Sequence, residues 1–297
     1  MNTLYAYPKR PGARQNVTQS DAVTPLFDVT GKRVVITGGT RGIGRMIAAG
    51  YAAAGAKVVI SSRNGESAAQ AQDELRAVGD ITALVGDVSS PANARALSAA
   101  ATDALGAVDV LVNNAGVTWG APLEAFPESG WDKVMHTNVE GLFHFTTAAL
   151  PALRAAVETS GDASIINIGS ADGINVPAME SYSYGASKAA VHHLTRHLAK
   201  RLAPEGIRVN AIAPGLFESK MTKFVVEDPT AKQAIDSTIP LGRFGQPDEI
   251  AGVAILLGSR AGRYLTGAVL PVDGGLVGCG PAAGLAVSDG KLAPARG

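Results

Sequence analysis

Lys32-Arg-Val-Val-Ile-Thr37, then Gly38-Gly-Thr-Arg-Gly42-Ile-Gly44, then Arg45 to Ala54: this stretch near the start decides the fold class. The first part is a short β-branched run and reads as a buried strand. The glycines at 38, 42 and 44 read as a tight turn, and the Ala-rich part after them as a helix. Glycines let a backbone turn sharply and approach a pyrophosphate, which then rests on the positive end of the following helix. Gly is abundant here, at 35 residues, so the spacing alone is a weak signal. Its place between a strand and a helix strengthens it.

The next strand, Lys57-Val-Val-Ile-Ser-Ser62-Arg63, bears on which dinucleotide would fit. A site for NAD usually offers a carboxylate about 20 residues past the glycines, to hold the ribose 2′-hydroxyl. This chain offers Ser62 and Arg63 instead, with Arg41 inside the glycine turn. A hydroxyl and two guanidinium groups suit a 2′-phosphate, through charge-assisted hydrogen bonds. NADP(H) is therefore the expected cofactor. The plainer alternative makes Arg63 a solvated residue at a strand end.

The same alternation continues down the chain. Strands are expected at 33–37, 57–61, 81–86, 109–113, 163–168, 207–212 and 267–271, separated by helix-like segments. Such a pattern implies right-handed crossovers and an α/β fold, a single-domain doubly wound parallel sheet of seven strands with helices on both faces. A chain of 297 residues can bury roughly 75% of its unfolded surface within one such domain. Residues 1–28, with Pro8, Pro11 and Pro25, are expected to form a poorly ordered arm, 29–275 the catalytic domain, and the Gly-, Ala- and Pro-rich 276–297 a tail.

Composition narrows the function classes. The chain is 46% hydrophobic and 18% charged with a formal net charge of zero. That balance gives no general attraction to nucleic acid or to an anionic membrane. A single cysteine, Cys279, excludes an intrachain disulfide and suits a cytoplasmic protein. No apolar run is long enough to span a bilayer, and the N-terminus lacks the apolar core of a secretory signal.

The chemistry is carried by Tyr184-Gly-Ala-Ser-Lys188, with Ser170 upstream at the end of the strand Ile165-Ile166-Asn167-Ile168. Residues four apart share a helical face, so a phenol and an ammonium here can form a proton-transfer pair. A nearby cation favours phenolate, which predicts a Tyr184 pKa drawn toward neutrality. Tyr182 is a decoy, because the residue four on is Ala186. The same spacing is also common on solvated helices, so the pair needs support from elsewhere.

That support comes from the order of further motifs: Asp87-Val88, Asn113-Asn-Ala-Gly116, Asn138 within a helix, Pro214-Gly215, and Leu265-Thr-Gly followed by Val272-Asp-Gly-Gly275. With the glycine turn and Tyr184/Lys188, they resemble the short-chain dehydrogenase/reductase family over roughly residues 29–275. Ile168-Gly-Ser-Ala-Asp-Gly173 and Ala213-Pro-Gly-Leu-Phe-Glu-Ser-Lys-Met-Thr222 are most similar to bacterial 3-oxoacyl reductases of the rhamnolipid-pathway type.

The resemblance implies a Rossmann-type fold and a set of roles. NADP(H) would meet Gly38, Thr40, Arg41, Gly42, Ile43 and Gly44 with its pyrophosphate, and Asp87 and Val88 with its adenine. Ser62 and Arg63 would take the 2′-phosphate. Asn113, Asn114, Ala115 and Gly116 would lie along the ribose side. Pro214, Gly215, Phe217 and Ser219 would meet the carboxamide end, and Tyr184 and Lys188 the nicotinamide ribose. A ketone would be polarised by Ser170 and Tyr184, with Tyr184 as general acid and Asn138 anchoring a water that links Lys188 to solvent. Trp119, Phe217 and Met221 are expected at the substrate, under an apolar lid over Leu216–Ile239 that includes Phe224, Val225 and Val226.

The resemblance leaves the substrate open among ketones and alcohols. Relatives that take acyl-carrier protein usually carry basic residues before the fifth strand, whereas Ala155-Ala-Val-Glu-Thr-Ser-Gly-Asp162 has none. A coenzyme A thioester and a free ketone both remain open. Reduction is the leading reading; NADP-dependent oxidation of a secondary or cyclic alcohol and a non-catalytic NADP(H) sensor are the alternatives. A homo-oligomer, tetramer or dimer, is implied. No metal is expected: His193 and His197 have the spacing of a zinc pair but no clear third ligand. Arg243 is expected to tie down the loop before the helix at 248–258.

Overall fold

The computed structural model describes residues 19–177, 179–219, 222, 227–279, 285–288 and 291–294. Seven strands, β1 (Arg33–Ile36), β2 (Lys57–Ser62), β3 (Ile81–Val85), β4 (Val110–Asn113), β5 (Ala163–Ile168), β6 (Ile207–Pro214) and β7 (Val269–Val272), form one sheet in the order β3-β2-β1-β4-β5-β6-β7. Every neighbouring pair is parallel. Parallel neighbours cannot be joined by hairpins, so each connection crosses a face of the sheet, mostly as a helix.

Both faces are therefore covered. Because side chains alternate along a strand, Val34 and Ile36 enter one core while Val35 enters the other. On the first face lie α2 (Gly42–Ala53), α3 (Gly65–Leu75) and the helix Pro247–Gly258, here α9, which contribute Ile47, Tyr51, Leu75, Ile250 and Leu257. On the second lie α4 (Pro91–Leu105), α6 (Gly141–Ser160) and α7 (Tyr182–Leu202), with Leu97, Phe145, Leu153 and Leu202. Ile165 and Ile166 are fully buried on opposite faces of β5. Truncating either to Ala would cost about 2–5 kcal/mol.

Three shorter helices complete the set among the described residues: α1 (Gln19–Phe27), α5 (Glu128–Met135) and α8 (Pro229–Asp236). A five-residue π-turn, His136–Glu140, joins α5 to α6. The arm expected over 1–28 thus contains a nine-residue helix, Gln19–Phe27. In the tail, β8 (Leu285–Ser288) and β9 (Lys291–Pro294) pair antiparallel with each other. Expected strand limits shift by one to two residues. Thr37 and Asp109 fall outside β1 and β4, and β6 runs on to Pro214 beside β7.

The N-terminal edge of the sheet is held by ion pairs. Arg33, first in β1, donates through Nε to Asp109, just before β4, at 2.7 Å. Asp162, just before β5, accepts from Arg208 at 3.2 Å and Arg263 at 2.8 Å. Arg208 also donates to the carbonyls of Leu257 and Gly262. These bonds leave the opposite, C-terminal edge free to be built from loops, which is where open parallel sheets bind ligands. Among the described residues, no helix is long and apolar enough to cross a membrane.

Candidate active site

The glycine turn sits at that edge, between β1 and α2. Gly38 and Gly42 have φ of 67° and 54°, the left-handed region that glycine tolerates. Gly44 is required for space: a Cβ there would overlap the Asn114 side chain and the Gly38 carbonyl. α2 begins at Gly42, with no acidic residue in its first turn and no side-chain cap from Arg41. Its first N–H groups are thus open toward an anion. Thr40 is half-buried in the turn, and Ile43 packs its side chain against the core.

The turn is fastened from the side by the loop after β4. The Thr37 hydroxyl accepts the backbone N–H groups of Asn114 and Ala115 at 3.0 and 3.1 Å. The Asn114 amide donates back to the carbonyls of Thr37 and Gly38, both at 2.9 Å. Gly116 then lies where an added Cβ would be 3.3 Å from Asn138 Oδ1 and 3.6 Å from Lys188 Nζ. The anion cradle and the proton-transfer pair are two sides of one loop.

At the outer side, Arg41 and Arg63 are exposed, and neither guanidinium is paired among the described residues. By contrast, nearby Arg45 is paired with Glu74 at 2.7 Å. Ser62 Oγ accepts the Asn64 N–H at 3.2 Å. Asp87 accepts the Ser89 N–H at 3.0 Å, and Val88 is buried. The glycine cradle, the uncapped helix end and two unpaired cations together fit a dinucleotide with an extra phosphate.

β5 and α7 supply the reactive side chains. Ser170, two residues beyond β5, hydrogen-bonds the Tyr184 phenol and accepts the Asp172 N–H at 3.1 Å. Lys188 donates to the Ile168 carbonyl at 2.8 Å, and its Nζ lies 5.5 Å from the centroid of the Tyr184 ring. Burial pushes the Tyr184 phenol up to about 12; the Ser170 bond lowers it and the Asp172 charge raises it. Burial also draws Lys188 down to about 8, opposed by Asp172. The expectation of a Tyr184 pKa near neutrality is therefore overturned. Desolvation outweighs the cation, whose nearest partner is a carbonyl rather than the phenol oxygen.

A family model described as Enoyl-(Acyl carrier protein) reductase matches residues 38–277. The Pseudomonas aeruginosa rhamnolipids biosynthesis 3-oxoacyl-[acyl-carrier-protein] reductase is 48% identical over 251 residues, covering 84% of this chain and 98% of that protein. The solved P. aeruginosa RhlG/NADP active-site complex superposes with a TM-score of 0.83 at 47% identity, over 85% of this chain and 99% of that one. A gluconate 5-dehydrogenase from Burkholderia cenocepacia, solved with NADP and tartrate, gives 0.79 at 37%, over 86% and 98%. The chain belongs to the short-chain dehydrogenase/reductase family.

For a member of this family, several residues stand differently from expectation. Asn113 does not face the cradle. Its buried amide donates to Thr146 at 2.8 Å and to Asn167 at 2.9 Å, and Asn167 donates in turn to Thr195. Phe217 is 3% exposed, part of the main core, and its ring fills the space a Cβ on Gly245 would need. Its side chain is a packing element rather than a substrate wall. Trp119 packs on Gly130 of α5, with Lys133 Nζ 5.5 Å from its ring centroid. Met221, with Phe224, Val225 and Val226 of the expected lid, lies outside the described residues.

Asn138, in the π-turn, uses its amide on protein partners. It bonds the Val117 N–H and carbonyl at 2.8 and 2.9 Å and the Ser187 hydroxyl at 2.9 Å. Pro214 ends β6 and Gly215 follows it, where an added Cβ would collide with Asp273. Ser219 stands 3.4 Å from where a Gly42 Cβ would be, and its N–H donates to Thr222. Arg243 pairs with Glu249, which accepts the Gln246 N–H at the start of α9. His193 and His197 are exposed, and no group of three metal-ligating side chains exists among the described residues. Thr37, Asp172 and His192 escaped the sequence reading. Thr37 looks like one more β-branched strand residue, and the other two acquire meaning only from partners across the turn at 170–173.

Proposed function

We propose that this enzyme reduces a ketone to a secondary alcohol with NADPH, using Ser170 and Tyr184 at the substrate oxygen. The observation that carries the reading is the hydrogen bond between Ser170 and a Tyr184 phenol that burial keeps protonated. Gly38, Gly42, Gly44 and the α2 N-terminus would hold the pyrophosphate of NADP(H), and Arg41, Ser62 and Arg63 its 2′-phosphate. When bound, the cofactor supplies the hydride. Ser170 and Tyr184 donate hydrogen bonds to the ketone oxygen and stabilise the charge that develops there. Tyr184 then gives its proton to that oxygen, so the carbonyl becomes CH–OH. Lys188, protonated below pH about 8, keeps a positive charge beside the phenol.

At neutral pH the buried Tyr184 phenol keeps its proton, the form that can donate to a ketone oxygen. Retention of the serine, tyrosine and lysine favours an enzyme over a sensor. The substrate proposed is a 3-oxoacyl-type ketone with an apolar body. Ile174, Val176 and Met179, on the segment between Ser170 and α7, are 45%, 95% and 63% exposed and offer an apolar rim. The stretch 155–162 offers no base to an acidic carrier protein, and Asp162 is already paired. A coenzyme A thioester or free ketone is therefore proposed beside the acyl-carrier-protein thioester named for the 48% identical relative. The protein is proposed to be a cytoplasmic homo-oligomer, tetramer or dimer, to be checked by light scattering.

The test is NADPH oxidation, followed at its absorbance band, against 3-oxoacyl coenzyme A thioesters and free ketones. Turnover that disappears in Y184F, with NADPH binding intact, supports the reading. Tight NADPH binding without turnover on any ketone overturns it.

A further inference from the structure

Tyr184, Lys188 and His192 follow one another at four-residue steps on α7, so all three side chains leave the same face. The first two belong to the reaction proposed above. His192 is not among the expected site residues, yet it is 4% exposed. Its Nε2 accepts the Ser170 N–H at 3.4 Å, and its ring also hydrogen-bonds the Gly173 backbone. It thus grips both ends of the turn Ser170-Ala171-Asp172-Gly173.

The packing around the ring is equally specific. A Cβ on Gly169 would overlap His192 Nε2, and one on Gly173 would come within 2.8 Å of Cε1. Gly169, just before the turn, and Gly173, its last residue, make room for the imidazole between them. A Gly173 Cβ would also press on the α7 backbone at Lys188 and Ala189, at 2.7 and 2.8 Å. The Ser170 hydroxyl, meanwhile, accepts the Asp172 N–H within the same turn. Serine hydroxyls rotate freely unless their backbone and partners are fixed. Here the backbone is fixed from behind by one ring.

We propose that His192 is a positioning residue that holds the Ser170 turn so that the serine hydroxyl faces the Tyr184 phenol. The inference rests on the reading of Ser170 as a donor to the ketone oxygen. The ring must be neutral to accept the Ser170 N–H. Burial, with Lys188 and then Arg196 adding positive charge, pulls its pKa down to about 4, so it is neutral at physiological pH. Loss of the acceptor lets the turn relax, and a small misplacement of a positioning group can cost on the order of 10²-fold in rate.

The experiment compares H192L, which keeps bulk without an acceptor, with H192Q, whose side-chain oxygen can replace Nε2. Both are made in the wild type and in S170A, with NADPH binding as the check on folding; H192M replaces H192L should that variant not fold. The expected result is a kcat lowered by roughly 10- to 10²-fold in the acceptor-free variant, recovered in large part by H192Q, with NADPH affinity unchanged. In S170A, the same substitution should add little, because the two act as a unit. An acceptor-free variant that turns over like wild type while S170A is impaired overturns the inference alone. A loss of equal size in the S170A background does the same. S170A with full activity overturns both the inference and the reading of Ser170.

Discussion

Thr37 and Asn114 are joined in both directions: the Thr37 hydroxyl accepts the Asn114 N–H at 3.0 Å, and the Asn114 amide donates to the Thr37 carbonyl at 2.9 Å. The same hydroxyl also accepts the Ala115 N–H. Thr37→Val keeps the shape and strands both donors, each a partly buried group whose lost partner costs about 1–3 kcal/mol. Urea unfolding should show a loss in that range, and the KM for NADPH should rise, since Asn114 also braces Gly38. A variant with wild-type stability would mean that water replaces the hydroxyl without penalty.

Arg41 and Arg63 are exposed without ion-pair partners among the described residues. Removing both (R41A/R63A) should weaken NADPH far more than NADH. Charge-assisted hydrogen bonds contribute about 1.5–3 kcal/mol each, so a change of 10-fold or more in the NADPH:NADH ratio of kcat/KM is expected. An unchanged ratio would assign the 2′-phosphate to other groups.

Lys188 makes stability depend on pH. Its folded pKa is about 8, below the free value of 10.5. Between these values the unfolded chain binds the proton and the native state does not, so stability rises with pH across that window. Below about 8 both states are protonated, and the full cost of burying the charge is present. Relative to K188M, the wild type should therefore gain stability as pH rises from about 8 toward 10.5. A constant difference in urea midpoints between the two proteins would contradict the burial of a charged Lys188.

Phe217 separates packing from recognition. Placed in the main core against Gly245, it should cost about 3–5 kcal/mol of stability when replaced by Ala. Phe217→Ala with intact stability and a raised KM for substrate would return it to the substrate wall.

The fold was legible because its signal is local. Val34, Val35 and Ile36 read as a strand buried on both faces, and glycines with α2 behind them read as a cradle. The spacing of Tyr184 and Lys188 lies on a single helix, so it too could be read directly. What could not be read were directions and depths set by distant partners. Asn113 and Asn114 are neighbours, yet one turns to Thr146 and Asn167 and the other to Thr37. The pKa of Tyr184 depends on how deeply α7 buries it, which spacing does not encode. Phe217 follows a strand, where an apolar residue serves equally well as rim or core. His192 looks like one of two adjacent helical histidines until Gly169 and Gly173 close around it.

The ion pairs of Asp109 with Arg33, and of Asp162 with Arg208 and Arg263, all sit at the sheet edge remote from Tyr184. They rivet the strands at one end and leave the other to its connecting segments. This division suits loop grafting: segments 117–126 and 174–181 can be exchanged with those of relatives while the rivets and both cores stay untouched. Substrate range in this scaffold is thus a property that can be recut separately from its folding.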